Sequence, residues 1–207
     1  MSGVAAKPAA RRLPVQGRSQ ATVRRILDAA ARLMEERPLD EITTNRIAEA
    51  AGLTIGALYR FFPDREAVIQ AILLGFIERF RDLIATYLIE VKPASREELV
   101  DGLIDLYVDF MGREPGFQAL WFGGYLNVKA VDTNSVATFD LALAIKAYLV
   151  GRLGYRDSEA LLMRTAIVVE GGGHLLEFAF RQKQFQRDAV IAEVKRLVAR
   201  YFFEERE

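Results

Sequence analysis

The chain has 207 residues, with 28 Lys or Arg balanced by 28 Asp or Glu, 51% hydrophobic residues and no cysteine. The missing cysteine excludes disulfides, thiolate metal sites and cysteine nucleophiles, and fits a cytoplasmic protein. No apolar run of about eighteen residues is free of charge, so no membrane partner or span is expected.

The opening MSGVAAKPAARRLPVQGR has basic residues but lacks the apolar centre of a secretory signal. Residues 1–18 read as a disordered basic arm. The zero net charge hides an asymmetry: residues 1–65 hold eleven Lys or Arg and seven Asp or Glu, a net +4, and the remainder carries −4. A basic end on an acidic body suits a chain that presents one end to phosphate.

Ser19 is expected to cap a first helix reaching about Arg37. Val23, Ile26, Leu27, Ala30, Leu33 and Met34 recur on it at helical spacing. Pro38 breaks that helix. In the stretch that follows, TTNRIAEAAGLTIGALYRFFPDRE from Thr43 to Glu66, Thr43 or Thr44 can cap a short helix and Gly52 can end it. Thr54 caps a second short helix to about Phe61, Pro63 ends it, and Asp64 caps the next. Two short helices joined by a glycine turn form a helix-turn-helix, whose second helix enters the DNA major groove. Thr54, Ile55, Gly56 and Ala57 are thin enough for close approach to a base edge or phosphate. Tyr59 and Arg60 can donate to phosphates. Spacing by itself leaves open a plain helical hairpin within a helical core.

The pattern T-T-x-x-I-A-x-x-A-G-L-T-x-G-x-L-Y-x-x-F closely resembles the DNA-binding signature of TetR (tetracycline repressor) family regulators, and the likeness runs from about Ser19 to Leu73. It departs at Phe61, where His or Tyr is usual, and at Arg65, where Lys is usual. The resemblance implies an all-α fold: an N-terminal three-helix DNA-binding domain over residues 19–65 and a ligand-binding and dimerisation domain over residues 66–207. It implies DNA contacts from Thr43, Thr44, Asn45, Thr54, Ile55, Gly56, Ala57, Tyr59, Arg60 and Arg65. Lys7, Arg11, Arg12 and Arg18 of the arm either reach the DNA or stay in an ordinary solvated tail.

A long helix is expected from Asp64 to about Val91, linking the two halves. Ser95 and Glu98 form a capping box for the next, to about Met111. An aromatic segment follows around Trp121, then helices over about Thr133–Leu153, Ser158–Gln182 and Asp188–Phe203. In the last two, Leu161, Leu162, Thr165, Val168, Val169, Gly172, Leu175 and Leu176 form one apolar surface, and Val190, Ile191, Val194, Leu197, Val198, Tyr201 and Phe202 form another. These stripes are intramolecular core or, as the resemblance implies, a homodimer interface. Gly171, Gly172 and Gly173 each cost a helix about 1 kcal/mol relative to alanine, which suggests a close approach or a bend.

Tyr107, Phe110, Phe117, Trp121, Phe122, Tyr125 and Phe178 can line a pocket for a small-molecule effector, with Glu170 and His174 as its polar groups; packed core is the competing reading. His174 has no metal-binding context, so neither a metal nor a cofactor is expected, and catalysis would need a buried Glu170–His174 pair. The reading is a ligand-responsive DNA-binding repressor that binds a pseudopalindromic operator as a homodimer. The alternative is a helical small-molecule binding protein without a transcriptional role, and an enzyme is third.

Overall fold

The computed structural model describes residues 17–114, 116–122 and 131–203, so most of the expected arm lies outside the described residues. Those residues are all-helical. Among the described residues nine α-helices follow one another: α1 Gly17–Glu36, α2 Thr44–Ala50, α3 Ile55–Tyr59, α4 Arg65–Glu90, α5 Arg96–Arg113, α6 Phe117–Phe122, α7 Val131–Leu153, α8 Glu159–Arg181 and α9 Arg187–Phe203. A short 3-10 turn, Leu39–Glu41, precedes α2. The chain forms two compact units that divide between Ile72 and Leu73, within α4 and beyond the boundary expected at residue 65.

Side-chain caps set most helix starts. Thr43 Oγ1 accepts from the Arg46 amide at 3.3 Å, and Thr54 Oγ1 from the Ala57 amide at 3.2 Å. Asp64 Oδ1 accepts from the Ala67 amide at 2.7 Å. Ser95 and Ser158 accept from the amides of Glu98 and Leu161, both at 3.1 Å. Each cap satisfies a donor that the helix cannot. Ser19 does not cap: α1 begins at Gly17, which leaves Ser19 inside its first turn. Asp188 also lies inside a first turn, that of α9, where its charge favours the positive end of the helix dipole.

The N-terminal unit closes on Ile26, Ala30, Ile42, Ile47, Leu58, Val68 and Ile69, all buried. In the C-terminal unit, α8 packs against both α7 and α9. One core joins Val100 and Ile104 of α5 to Leu176 and Ala179 of α8 and to Ile191, Val194 and Val198 of α9. A second joins Leu99 to Ile145 and Leu149 of α7 and Leu161 of α8. Much of the two apolar stripes read from the sequence is thus core within one chain. Period 3.6 marks a face that is buried and does not say against what.

One contact in this unit sets a hard steric limit. A Cβ on Gly102 would lie 1.9 Å from the Tyr87 hydroxyl, which donates to the Glu98 carbonyl at 2.9 Å. Helix propensity by itself would make Gly102→Ala stabilising by up to about 1 kcal/mol. Overpacking costs about 1–3 kcal/mol and here also breaks the hydroxyl's bond. Gly102→Ala is expected to lower the thermal midpoint by several degrees, and a raised midpoint would show that Tyr87 yields without cost.

Candidate nucleic-acid interface

The turn between α2 and α3 positions everything on this face. Gly52 takes φ +63°, the left-handed conformation that glycine reaches without strain. The Leu53 amide then donates to the Ala48 carbonyl at 2.8 Å and the Gly52 amide to the Glu49 carbonyl at 2.9 Å. These two bonds make a Schellman C-cap. Arg25 of α1 closes the remaining carbonyls, donating to Ala51 O at 2.5 Å and Gly52 O at 3.3 Å. A cation at a helix C-terminus is also favoured by the helix dipole. The sequence reading gave Arg25 no role, because its partners lie on another helix.

Helix α3 is anchored by one side. Leu58 is fully buried, and Thr54, Ile55, Gly56, Tyr59 and Arg60 are exposed. A Cβ built on Gly56 meets nothing within 4 Å. Nothing inside the protein therefore calls for glycine there. Thr43 and Asn45 of α2 are exposed, and Thr44 and Ala57 are half-buried. Thr44 Oγ1 and the Tyr59 hydroxyl lie 3.2 Å apart, tying the two short helices together across the exposed face. Arg60 has no ion pair among the described residues, whereas Arg46 pairs with Glu41 at 3.2 Å. Of the ten expected contacts, seven are thus exposed and two half-buried, and Arg60 is a cation without an ion pair among the described residues.

Arg65 is placed differently. Its Nη1 donates to Leu39 O at 3.0 Å and Ile42 O at 3.3 Å, and its Nη2 to Glu66 Oε1 at 2.9 Å. Its guanidinium thus holds the 3-10 turn onto the start of α4. The planar fork of arginine suits this bridging better than a lysine ammonium would.

In the C-terminal unit the expected ligand residues separate into two groups. Phe110 and Phe117 pack with Phe76 and Phe80 in edge-on or tilted contacts, with centroids 5.1 to 6.5 Å apart. Tyr107 joins them through Phe80 at 5.4 Å. Its hydroxyl is buried without a hydrogen-bond partner among the described residues, a condition that costs about 1–3 kcal/mol. Burial first, then the charge of Glu177, push this phenol well above its usual range. Trp121 and Phe122 belong to α6, but their side chains, like all of Tyr125, lie outside the described residues.

Glu170, His174 and Phe178 are exposed on α8 and do not join this cluster. His174 Nε2 sits 3.5 Å from Glu170 Oε1, on side chains 65% and 52% exposed, so the pair is not the buried one that catalysis would need. A shallow cleft of about 400 Å³ at the connection into α8 and its first turns, lined in part by Tyr155, Arg156, Ser158 and Arg164, is open to solvent. Among the described residues no group of His, Asp and Glu could hold a metal ion, and no helix is long and apolar enough to cross a membrane.

A capped helix-turn-helix with a thin exposed second helix, followed by an all-helical unit, defines a DNA-binding regulator. Residues 26–72 match the family model of bacterial regulatory proteins of the tetR family, and residues 94–205 match the tetracyclin repressor-like C-terminal domain. An uncharacterised HTH-type transcriptional regulator of Mycobacterium tuberculosis is 30% identical over 178 residues, 85% of this chain and 84% of that protein. The crystal structure of a TetR-family regulator from Streptomyces coelicolor matches with a TM-score of 0.68 at 27% identity, covering 87% of this chain and 96% of that one. The nucleoid occlusion factor SlmA of Glaesserella parasuis is 29% identical over 92 residues, and the chain covers only 44% of its length. The chain belongs to the TetR family, and it is a DNA-binding transcriptional regulator.

The Arg65 geometry gives an expectation opposite to that of a phosphate contact. Arg65→Ala should lower stability by about 1–2 kcal/mol, since charged hydrogen bonds are discounted when the side chain is 30% exposed. The salt dependence of DNA binding should stay unchanged. A salt slope lower by about one, at unchanged thermal midpoint, would return Arg65 to the phosphates.

Proposed function

We propose that the chain is a homodimeric repressor that binds a pseudopalindromic operator through α3 and is modulated by an apolar or aromatic small molecule held in its C-terminal unit. The observation that carries the DNA reading is Gly56, whose missing side chain leaves open space on an exposed helix face. Small size there has a purpose only for something outside the chain. Thr54, Ile55 and Gly56 bring the backbone to the base edges, while Tyr59 and Arg60 hold phosphates. Gly56→Leu should leave the fold intact, or slightly more stable, and weaken binding by at least tenfold. Arg60→Ala should weaken binding to all sequences alike and lower the salt slope by about one. Both are measured on a duplex selected by the wild-type protein from a random pool. Wild-type affinity in Gly56→Leu would remove α3 from the groove.

The dimer reading rests on the outward faces of α8 and α9. Met163, Ile167, Phe178, Leu197 and Tyr201 are 42% to 58% exposed in the single chain. Ile167 and Gly171 share one face of α8, and a Cβ on Gly171 meets nothing within 4 Å. A second copy would cover this face and let the helices approach closely. It would set two α3 helices about 34 Å apart, one turn of DNA. Helix α4 passes from one unit into the other as a continuous helix, the covalent route by which a ligand's effect would travel. Ile167→Asp should give folded monomers by sedimentation, because the charge loses several kcal/mol only when a partner buries it. Val194→Asp, in the core of one chain, should unfold the protomer instead. A stable Ile167→Asp dimer would exclude this face.

A further inference from the structure

Tyr107 occupies an ordinary core position with an extraordinary group on it. Its ring meets Phe80 edge-on and packs against the cluster of Val100, Ile104, Leu176 and Val194. Phenylalanine would fill the same space. The hydroxyl is out of contact with water and finds no hydrogen-bond partner among the described residues. Two half-buried tyrosines of the same unit are paired: Tyr87 donates to Glu98 O and Tyr148 to Pro93 O, each at 2.9 Å. A buried polar group left unpaired in the resting protein calls for an explanation, and an absent partner is one.

The surroundings narrow what that partner is. Phe80, Val100, Ile104, Leu176 and Val194 around the Tyr107 ring offer only apolar and aromatic contacts. The Tyr107 phenol keeps its proton, so it can donate to an oxygen. Glu177 of α8, whose side chain is only 18% exposed and whose Oε2 sits 3.4 Å from His174 Nδ1, adds through the field of its charge a smaller upward push to the phenol that burial already raises. A carboxylate ligand would set a second negative charge in that field, where screening is poor. A neutral oxygen meets no such penalty.

We propose that Tyr107 is the polar anchor of the effector site, and that its hydroxyl donates to the oxygen of a neutral, apolar-bodied molecule of the phenol or alcohol class. This rests on the reading that a small molecule modulates the regulator. It adds the residue that orients the ligand and the charge the ligand must lack. The ligand enters by parting the aromatic rings, and its oxygen takes the place at the hydroxyl that no protein group fills. Specificity follows from the buried donor: an analogue without the oxygen leaves it unpaired.

The test uses full-length protein without DNA and three probes of one shape: para-butylphenol, butylbenzene and para-butylbenzoate. Calorimetry should show wild type binding the phenol at least tenfold more tightly than either of the others. Tyr107→Phe should lose that margin while its ligand-free thermal midpoint stays level or rises, since the orphan hydroxyl is gone. Equal affinity of the phenol for both proteins, or no binding of the phenol to wild type, would overturn the proposal. So would a ligand-free midpoint several degrees lower in Tyr107→Phe, which would mean that the hydroxyl is already paired. Operator affinity is then measured separately. Phenol binding that depends on Tyr107 but leaves operator affinity unchanged would keep the anchor and retire the ligand-regulated reading. An operator response to the phenol that persists in Tyr107→Phe would keep that reading and retire the anchor.

Discussion

The reversal of the chain at Gly52 is the constraint on which the DNA-facing surface depends. Helix α3 has only five residues, Ile55–Tyr59, and one fully buried anchor, Leu58. A helix that short is not stable by its own hydrogen bonds. It is held by its ends: the Schellman bonds and Arg25 before it, the Thr54 cap at its start, and the Thr44–Tyr59 contact at its finish. With support supplied at the ends and from below, the outer face is free to be thin. A side chain on Gly56 would be compatible with the fold, so folding does not call for its absence.

The same economy explains which parts of the site could be read from the sequence. Thr54, Asp64 and Ser95 cap where expected, and Thr43 is the one of the two candidate threonines that caps α2, because a cap bonds an amide two or three residues away and its signal is local. The exposed set on α2 and α3 was legible for a similar reason, since family signature and helical spacing agree there. Arg65 and Arg25 were not legible. Each guanidinium bonds carbonyls about 26 residues away, and nothing local tells a phosphate ligand from an internal strut. Glu177 was missed because one acidic residue on a helix carries no signal until its neighbours across the core are known.

The apolar stripes of α8 and α9 show a different limit. Each helix has two apolar faces. One, through Leu161, Thr165 and Leu176 on α8 and Ile191, Val194 and Val198 on α9, is core. The other, through Met163, Ile167 and Phe178 and through Leu197 and Tyr201, is open. Periodicity sums both into a broadly apolar helix. Only solvent exposure separates residues that hold one chain together from residues that can join two. The glycine run divides the same way: a Cβ on Gly172 would lie 3.9 Å from Val198, whereas one on Gly171 or Gly173 would meet nothing within 4 Å.

The open face and the thin helix bear on each other through affinity. Helix α3 offers few cations, chiefly Arg60 at its end, and the basic residues 1–65 carry only a net +4. Phosphate contacts supply most of the non-specific affinity of a DNA reader, so one such unit binds weakly at physiological salt. Two units joined rigidly turn the second contact into an intramolecular one, and overall affinity can then exceed that of a single unit by about 10²–10⁴. That gain exists only while the spacing matches the DNA repeat. A modest change in the C-terminal unit, transmitted along α4 and worth about 1–3 kcal/mol of coupling, would then forfeit avidity at both half-sites together. In the proposed dimer, weak individual heads would be what makes the regulator responsive, because a head that bound tightly by itself would stay on the DNA whatever the body did.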